Sequence, residues 1–147
     1  MSQQNSPKEA LDPLLVEFSN LRAYGDAIRQ QLEFVSGVIA EYTLSRAALE
    51  EVRKREGKGE TLIHIGAGNY ISAELKDVKT VVVGIGAGVS VEKSIEDAIS
   101  EIDGRVKAAQ EQLVALQNQF VQISTRMQQL QERIDQLYGQ LEASGQA

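Results

Sequence analysis

The sequence predicts a mainly α protein with a small β insert: a long antiparallel coiled-coil helical hairpin capped by two β-hairpins. Apolar residues step alternately by four and three through Leu14, Phe18, Leu21, Ile28, Leu32, Val35, Ile39, Tyr42 and Leu49, and only Gly25 and Arg46 interrupt them. The same stepping runs through Ile95, Ile99, Ile102, Val106, Ala109, Leu113, Leu116, Phe120, Ile123, Met127, Leu130, Ile134, Leu137 and Leu141, with Ala109 its sole weak member. A seam repeating every 3.5 residues stays on one face only if the helix supercoils around a partner. Between the two arrays, short segments rich in β-branched residues alternate with glycine-containing turns, which is the pattern of hairpins.

Residues 1–12 read as a flexible N-terminus, with the polar stretch Met1 to Asn5 disordered. Ser6-Pro7-Lys8-Glu9 nonetheless has the form of a first helical turn, with a capping serine, proline at the first helical position and a glutamate closing the box. Asp12-Pro13 repeats that start signal, so the continuous helix is expected over 13–56. It should stop in Gly57-Lys58-Gly59, where two glycines cannot sustain a helix. The insert, 61–92, offers four strands: Leu62 to Ile65, Tyr70 to Leu75, Thr80 to Ile85 and Val89 to Val91. Gly66-Ala67-Gly68 and Gly86-Ala87-Gly88 recur in similar company (IHIGAGNYIS against VGIGAGVSVE), and each reads as a hairpin turn built on Gly66 and Gly68 or on Gly86 and Gly88. Ser94-Ile95-Glu96-Asp97 opens the second helix, expected over 94–142, and 143–147 reads as a flexible tail. Rods of roughly 60 and 70 Å follow from the helical rise. An insert this small cannot carry the chain back along such a rod, so the helices must run antiparallel, with both termini at the far tip.

Composition excludes several classes. At 147 residues, with three Phe, four Tyr and no Trp, the chain has little material for a large globular core. A net charge of −6 argues against phosphate neutralisation, hence against nucleic acid as a partner. The absence of cysteine excludes disulfides and thiolate metal sites and fits a reducing cytoplasm. The N-terminus lacks the form of a secretory signal. The longest apolar stretch, Val81 to Val89, falls far short of a membrane span, so no membrane is expected. No catalytic residues, cofactor or metal site emerge. Gly84-Ile85-Gly86-Ala87-Gly88 supplies the first glycines of a dinucleotide fingerprint, but Val89 stands where the third is needed and no βαβ unit surrounds it. His64, the only histidine, has no second histidine or cysteine with which to hold a metal. The chain reads as a non-enzyme.

Two surfaces remain. Short hairpins with open edges are too small to be stable alone, and the run Val81-Val82-Val83 suggests a strand buried on both faces. The β heads of several subunits should therefore assemble with one another. At the helix ends, Leu11, Leu14, Leu15, Val16 and Phe18 meet Leu130, Ile134, Leu137, Tyr138 and Leu141 in an antiparallel pairing. Leu15, Val16 and Tyr138 lie off the seam and widen the apolar face. That cluster either seals the last turns against fraying or forms an adaptable clamp for another protein. Gly25 is either a weak point, costing about 1 kcal/mol relative to alanine, or a site of bending.

The block Val83-Gly84-Ile85-Gly86-Ala87-Gly88-Val89-Ser90-Val91-Glu92-Lys93-Ser94 followed by Ile95-Glu96-Asp97-Ala98, together with Leu62-Ile63-His64-Ile65-Gly66-Ala67-Gly68-Asn69-Tyr70-Ile71, resembles the α-class subunit of prefoldin. The flanking heptads extend the resemblance over nearly the whole chain, and two hairpins rather than one mark the α class. The resemblance implies a single prefoldin-type domain over 1–147 and an ATP-independent co-chaperone (holdase), cytoplasmic and without cofactor. Two α-class and four β-class subunits would join their hairpins into an inter-subunit β-barrel. That would place Leu62, Ile63, Ile65, Tyr70, Ile71, Leu75, Val81, Val82, Val83, Ile85, Val89 and Val91 in the oligomer interface. The helix ends would hold unfolded polypeptides and pass them to a group II chaperonin. A related γ class shares the two-hairpin plan and forms filaments, which leaves a structural scaffold or filament-forming subunit as the second reading.

Overall fold

A computed structural model describes residues 6–145, so the expected disorder of 1–5 and the end of the tail at 146–147 lie outside the described residues. Helix α1 spans Pro7–Lys54 and helix α2 spans Ile95–Ala143. Between them lie strands β1 (Gly59–Gly66), β2 (Asn69–Leu75), β3 (Thr80–Gly86) and β4 (Val89–Ser94). The chain divides into two compact units, one joining residues up to Ser36 with those from Glu111, the other Gly37–Gln110.

In the first unit α1 begins at Pro7 rather than at 13. The Ser6 Oγ accepts from the Glu9 amide at 3.3 Å while Glu9 Oε2 accepts from the Ser6 amide at 3.1 Å, so the capping box closes on both sides. Pro13 lies inside the helix and deletes one backbone bond near its end. Burial of Leu11 beside Leu130, Ile134, Leu137 and Leu141 offsets that loss, and Ala10, Leu14, Phe18 and Leu21 pack partly buried against the same cluster. The helices run antiparallel here: Arg126 Nε donates to Glu17 Oε1 at 2.7 Å, and the Arg29 guanidinium lies 5.8 Å from the Phe120 ring centre. Ile28, Val35, Leu116 and Ile123 continue the buried seam at heptad spacing.

In the second unit the buried side chains are Ile95, Ala98, Ile99 and Ile102, all from the first turns of α2. Arg46, the second interruption of the α1 seam, reaches sideways to Asp103 and sits 3.5 Å from Glu50, so its charge stays at the rim. The hydrogen bond to Asp103 pushes the Arg46 guanidinium further toward its charged form. Helix α1 ends in a Schellman turn: the Gly57 amide donates to the Val52 carbonyl at 2.9 Å and the Glu56 amide to Arg53 at 3.0 Å. Gly57 has φ 71° and is buried, and its carbonyl accepts the Val78 amide at 3.0 Å. A Cβ at Gly57 would lie 2.2 Å from the Val78 carbonyl oxygen, so this corner admits no side chain.

The strands form two separate antiparallel pairs, β1 with β2 and β3 with β4. Ile63 faces Ile71 and His64 faces Tyr70 in the first; Val83 faces Val91 and Val82 faces Glu92 in the second. Each pair shows a register irregularity one residue before its turn. Both residues of each two-residue turn have positive φ, 50° at Ala67 and 77° at Gly68, 51° at Ala87 and 75° at Gly88. That is the requirement of a type I′ hairpin turn, whose twist matches the strands. The serine cap opens α2 as its spacing indicated, Ser94 Oγ accepting the Asp97 amide at 3.1 Å.

Candidate functional site

The hairpins are tied to the helices by arginines that the periodicity of the sequence gave no reason to single out. Arg55 donates to the Glu60 carbonyl at 2.9 Å, fixing the start of β1 to the end of α1. Arg105 donates to the Gly84 carbonyl at 3.1 Å and to Glu101 Oε1 at 2.6 Å, fixing β3 to α2. Lys93, from β4, completes this group by pairing with the same Glu101. Lys93, and after it Arg105, hold the Glu101 carboxyl below the usual carboxylate range against the opposing effect of burial. Only the i,i+4 spacing of Glu101 and Arg105 was visible beforehand, and it is common on any solvated helix.

Beyond those anchors the hairpins are open and apolar. Leu62, Ile63, Ile65, Tyr70, Ile71, Val82, Ile85, Val89 and Val91 are all exposed. On β1–β2, alternation puts Ile63 and Ile71 on one face and Leu62 with the His64–Tyr70 pair on the other, the two rings 5.1 Å apart. Both faces therefore carry apolar material. On β3–β4 the faces differ. Val81, Val82 and Val83 border a small cavity of about 200 Å³ with Tyr42, Leu49 and Ile102 of the chain's own helices; Val81 and Val83 are half-buried there, whereas Val82 between them is 74 % exposed. Leu75 is likewise half-buried at the end of β2. So many exposed apolar side chains on two short hairpins are unusual on a protein that works alone.

The helix-end residues separate into three groups. Leu11, Leu130, Ile134, Leu137 and Leu141 are buried in the seam, Leu130 and Leu137 to 2 % exposure. Leu14 and Phe18 are half-buried against them. Leu15, Val16 and Tyr138 are open to solvent, Val16 at 60 %. The geometry thus joins the two sets across the antiparallel pair, with five members sealing the end and three left outside. Glu17 and Arg126 form an ion pair in the same stretch, and Arg126 holds the Glu17 carboxyl below its ordinary range. Among the described residues no helix is long and apolar enough to cross a membrane.

Paired antiparallel helices with twin β-hairpins, each hairpin exposing apolar side chains, define the class: a coiled-coil subunit with a β assembly region. The model of the family described as "Prefoldin subunit" matches residues 21–140, and the chain belongs to the prefoldin family. Alpha subunits of archaeal prefoldins are among the proteins it is similar to. That of Pyrococcus horikoshii is 34 % identical over 114 residues, 77 % of this chain and 75 % of that one. That of Thermococcus onnurineus is 34 % identical over 108 residues, 73 % and 71 % of the two chains. A solved filamentous PFD from Methanocaldococcus jannaschii shares the fold with a TM-score of 0.66 over 78 % of this chain and 94 % of that one, at 18 % identity.

Proposed function

We propose that this chain is the α-class subunit of an ATP-independent co-chaperone, which assembles through its hairpins with β-class subunits. It would capture unfolded polypeptides at the helix ends and hand them to a group II chaperonin in the cytoplasm. The observation that carries the reading is the exposure of apolar residues in two places, on the hairpins and at Leu15, Val16 and Tyr138 of the helix ends, in a chain of this family. The hairpin surface is the broader one and suits a permanent interface, two α-class subunits with four β-class subunits. The exposed apolar residues at the helix ends are few, which suits weak, non-directional contact with varied unfolded segments. Release then needs no hydrolysis, because many weak contacts can exchange with a competing chaperonin surface.

Among the residues first assigned to clients, Leu15, Val16 and Tyr138 are the ones a client can reach without parting the helices, with half-buried Leu14 and Phe18 behind them. Substituting Leu15→Ser, Val16→Ser and Tyr138→Ser together should weaken suppression of client aggregation several-fold, while the assembly keeps its mass and helicity. Full protection by this variant would rule out capture at the helix ends. The filament-forming scaffold remains the second reading. It would show as selective binding of one folded partner with no protection of unfolded clients.

A further inference from the structure

Gly25 leaves a notch in the seam. It sits at a core position of α1, buried, and the space beside it is a cavity of about 410 Å³. Phe120, Ile123 and Met127 supply its apolar lining, and Arg22, Asp26 and Arg29 stand around it. Phe120 and Met127 are only half-buried there, although the seam residues Leu116 and Leu130 beyond them are buried. Folding does not ask for glycine at this place. A Cβ on residue 25 would meet Ile123 Cγ2 at 3.5 Å, an ordinary contact, and alanine is the better helix former. The opening is kept although a side chain would fit and would stabilise the helix.

The charges around the notch point to its occupant. In an acidic chain of net charge −6, two arginines face one aspartate here. Arg29 approaches Asp26 only to 3.9 Å and leans over the Phe120 ring, while Arg22 makes no ion pair among the described residues. A small anion would leave the apolar lining wet, and a purely apolar segment would forgo the charge-assisted bonds that the exposed Arg22 and Arg29 can offer. A peptide with a large apolar side chain beside a carboxylate satisfies both. We infer that the Gly25 notch is a binding pocket for an acidic, amphipathic segment of an unfolded polypeptide, its apolar side chain on Phe120, Ile123 and Met127 and its carboxylate at Arg22 and Arg29. The inference rests on the client-binding reading for the source of that segment. The pocket adjoins the cluster at the helix ends, which runs up to Leu21 on α1 and begins at Leu130 on α2, but shares no residue with it.

The test uses the full chain assembled with its β-class partners, the same partner preparation throughout. Two fluorescent peptides of equal length, phenylalanines flanked by glutamate or by lysine, are titrated at low ionic strength. The native assembly should bind the glutamate peptide about tenfold more tightly than the lysine peptide. Gly25→Leu should remove most of that tight binding while raising the melting temperature. The double variant Arg22→Gln, Arg29→Gln, both at exposed positions, should bring the two peptides to equal affinity, and it decides the matter alone if Gly25→Leu fails to assemble. Equal affinity of the native assembly for both peptides would overturn the inference, as would binding indifferent to these variants. The triple helix-end variant separates the two readings. If it keeps full client protection, capture at the helix ends fails while the glutamate preference still judges the pocket. If it loses protection but keeps that preference, both stand.

Discussion

A methyl group at Gly57 and one at Gly25 should act in opposite directions, because the two glycines answer different constraints. Gly57 combines a φ of 71° with a backbone neighbour that a Cβ would meet at 2.2 Å. Gly57→Ala should therefore destabilise by about 2 kcal/mol or more, read as a lower urea midpoint. An unchanged midpoint would contradict the packing of that corner. Gly25→Ala meets only Ile123 Cγ2 at an ordinary distance and should stabilise by about 1 kcal/mol through helix propensity. A fall in midpoint would mean that residue 25 is not in regular helix. Both glycines were conspicuous in the sequence, Gly57 as part of a helix stop and Gly25 as a break in the heptads. Which of them is obligatory was not legible there, since it depends on Val78 and Ile123, residues far along the chain. The turn alanines make the same point. Gly66 and Gly68 read as the turn formers, yet Ala67 shares the positive φ and bears a strain that glycine would relieve.

The helices and strands were legible because each declares itself through a local period, 3.5 in the arms and two in the insert. Their caps were legible too, for Ser6–Glu9 and Ser94–Asp97 close over three residues. The start of α1 was placed at 13 rather than at Pro7 because Asp12-Pro13 repeats the start signal; the cap at Ser6 and the burial of Leu11 against α2 make the earlier turn part of the same helix. The anchoring of β3–β4 was not legible, since it joins Lys93, Glu101, Arg105 and the Gly84 carbonyl across three elements. This group yields a pH prediction. The Glu101 carboxyl is held below its ordinary value of 4.5 by Lys93 and Arg105. A depressed carboxylate contributes stability above its unfolded value and loses it as the pH falls through its folded value. Amide exchange in β3–β4, corrected for intrinsic rates, should therefore accelerate as the pH falls below 4.5. In Glu101→Gln that acid step should vanish and exchange should be fast already at neutral pH. A native protein with the same acid profile as the variant would show that the anchor does not restrain the hairpin.

At the scale of the whole molecule, the chain leaves more apolar surface open than a monomer usually carries. The composition hinted at this, since a seam and two small hairpins cannot bury their own β-branched residues. The structure adds which faces are already taken: Val81 and Val83 toward the chain's own helices, with Val82 and the β1–β2 residues left over. It also divides the helix-end residues into those that seal and those that remain outside, a distinction that heptad position alone suggested only for Leu15, Val16 and Tyr138. The central claim is that the open hairpin faces are made for β-class partners, and native mass spectrometry of this chain, alone and mixed with the β-class subunit of the same organism, tests it most directly. The account predicts a mixed hexamer of two copies with four partners. Large homopolymers that form equally well with or without the partner would contradict it.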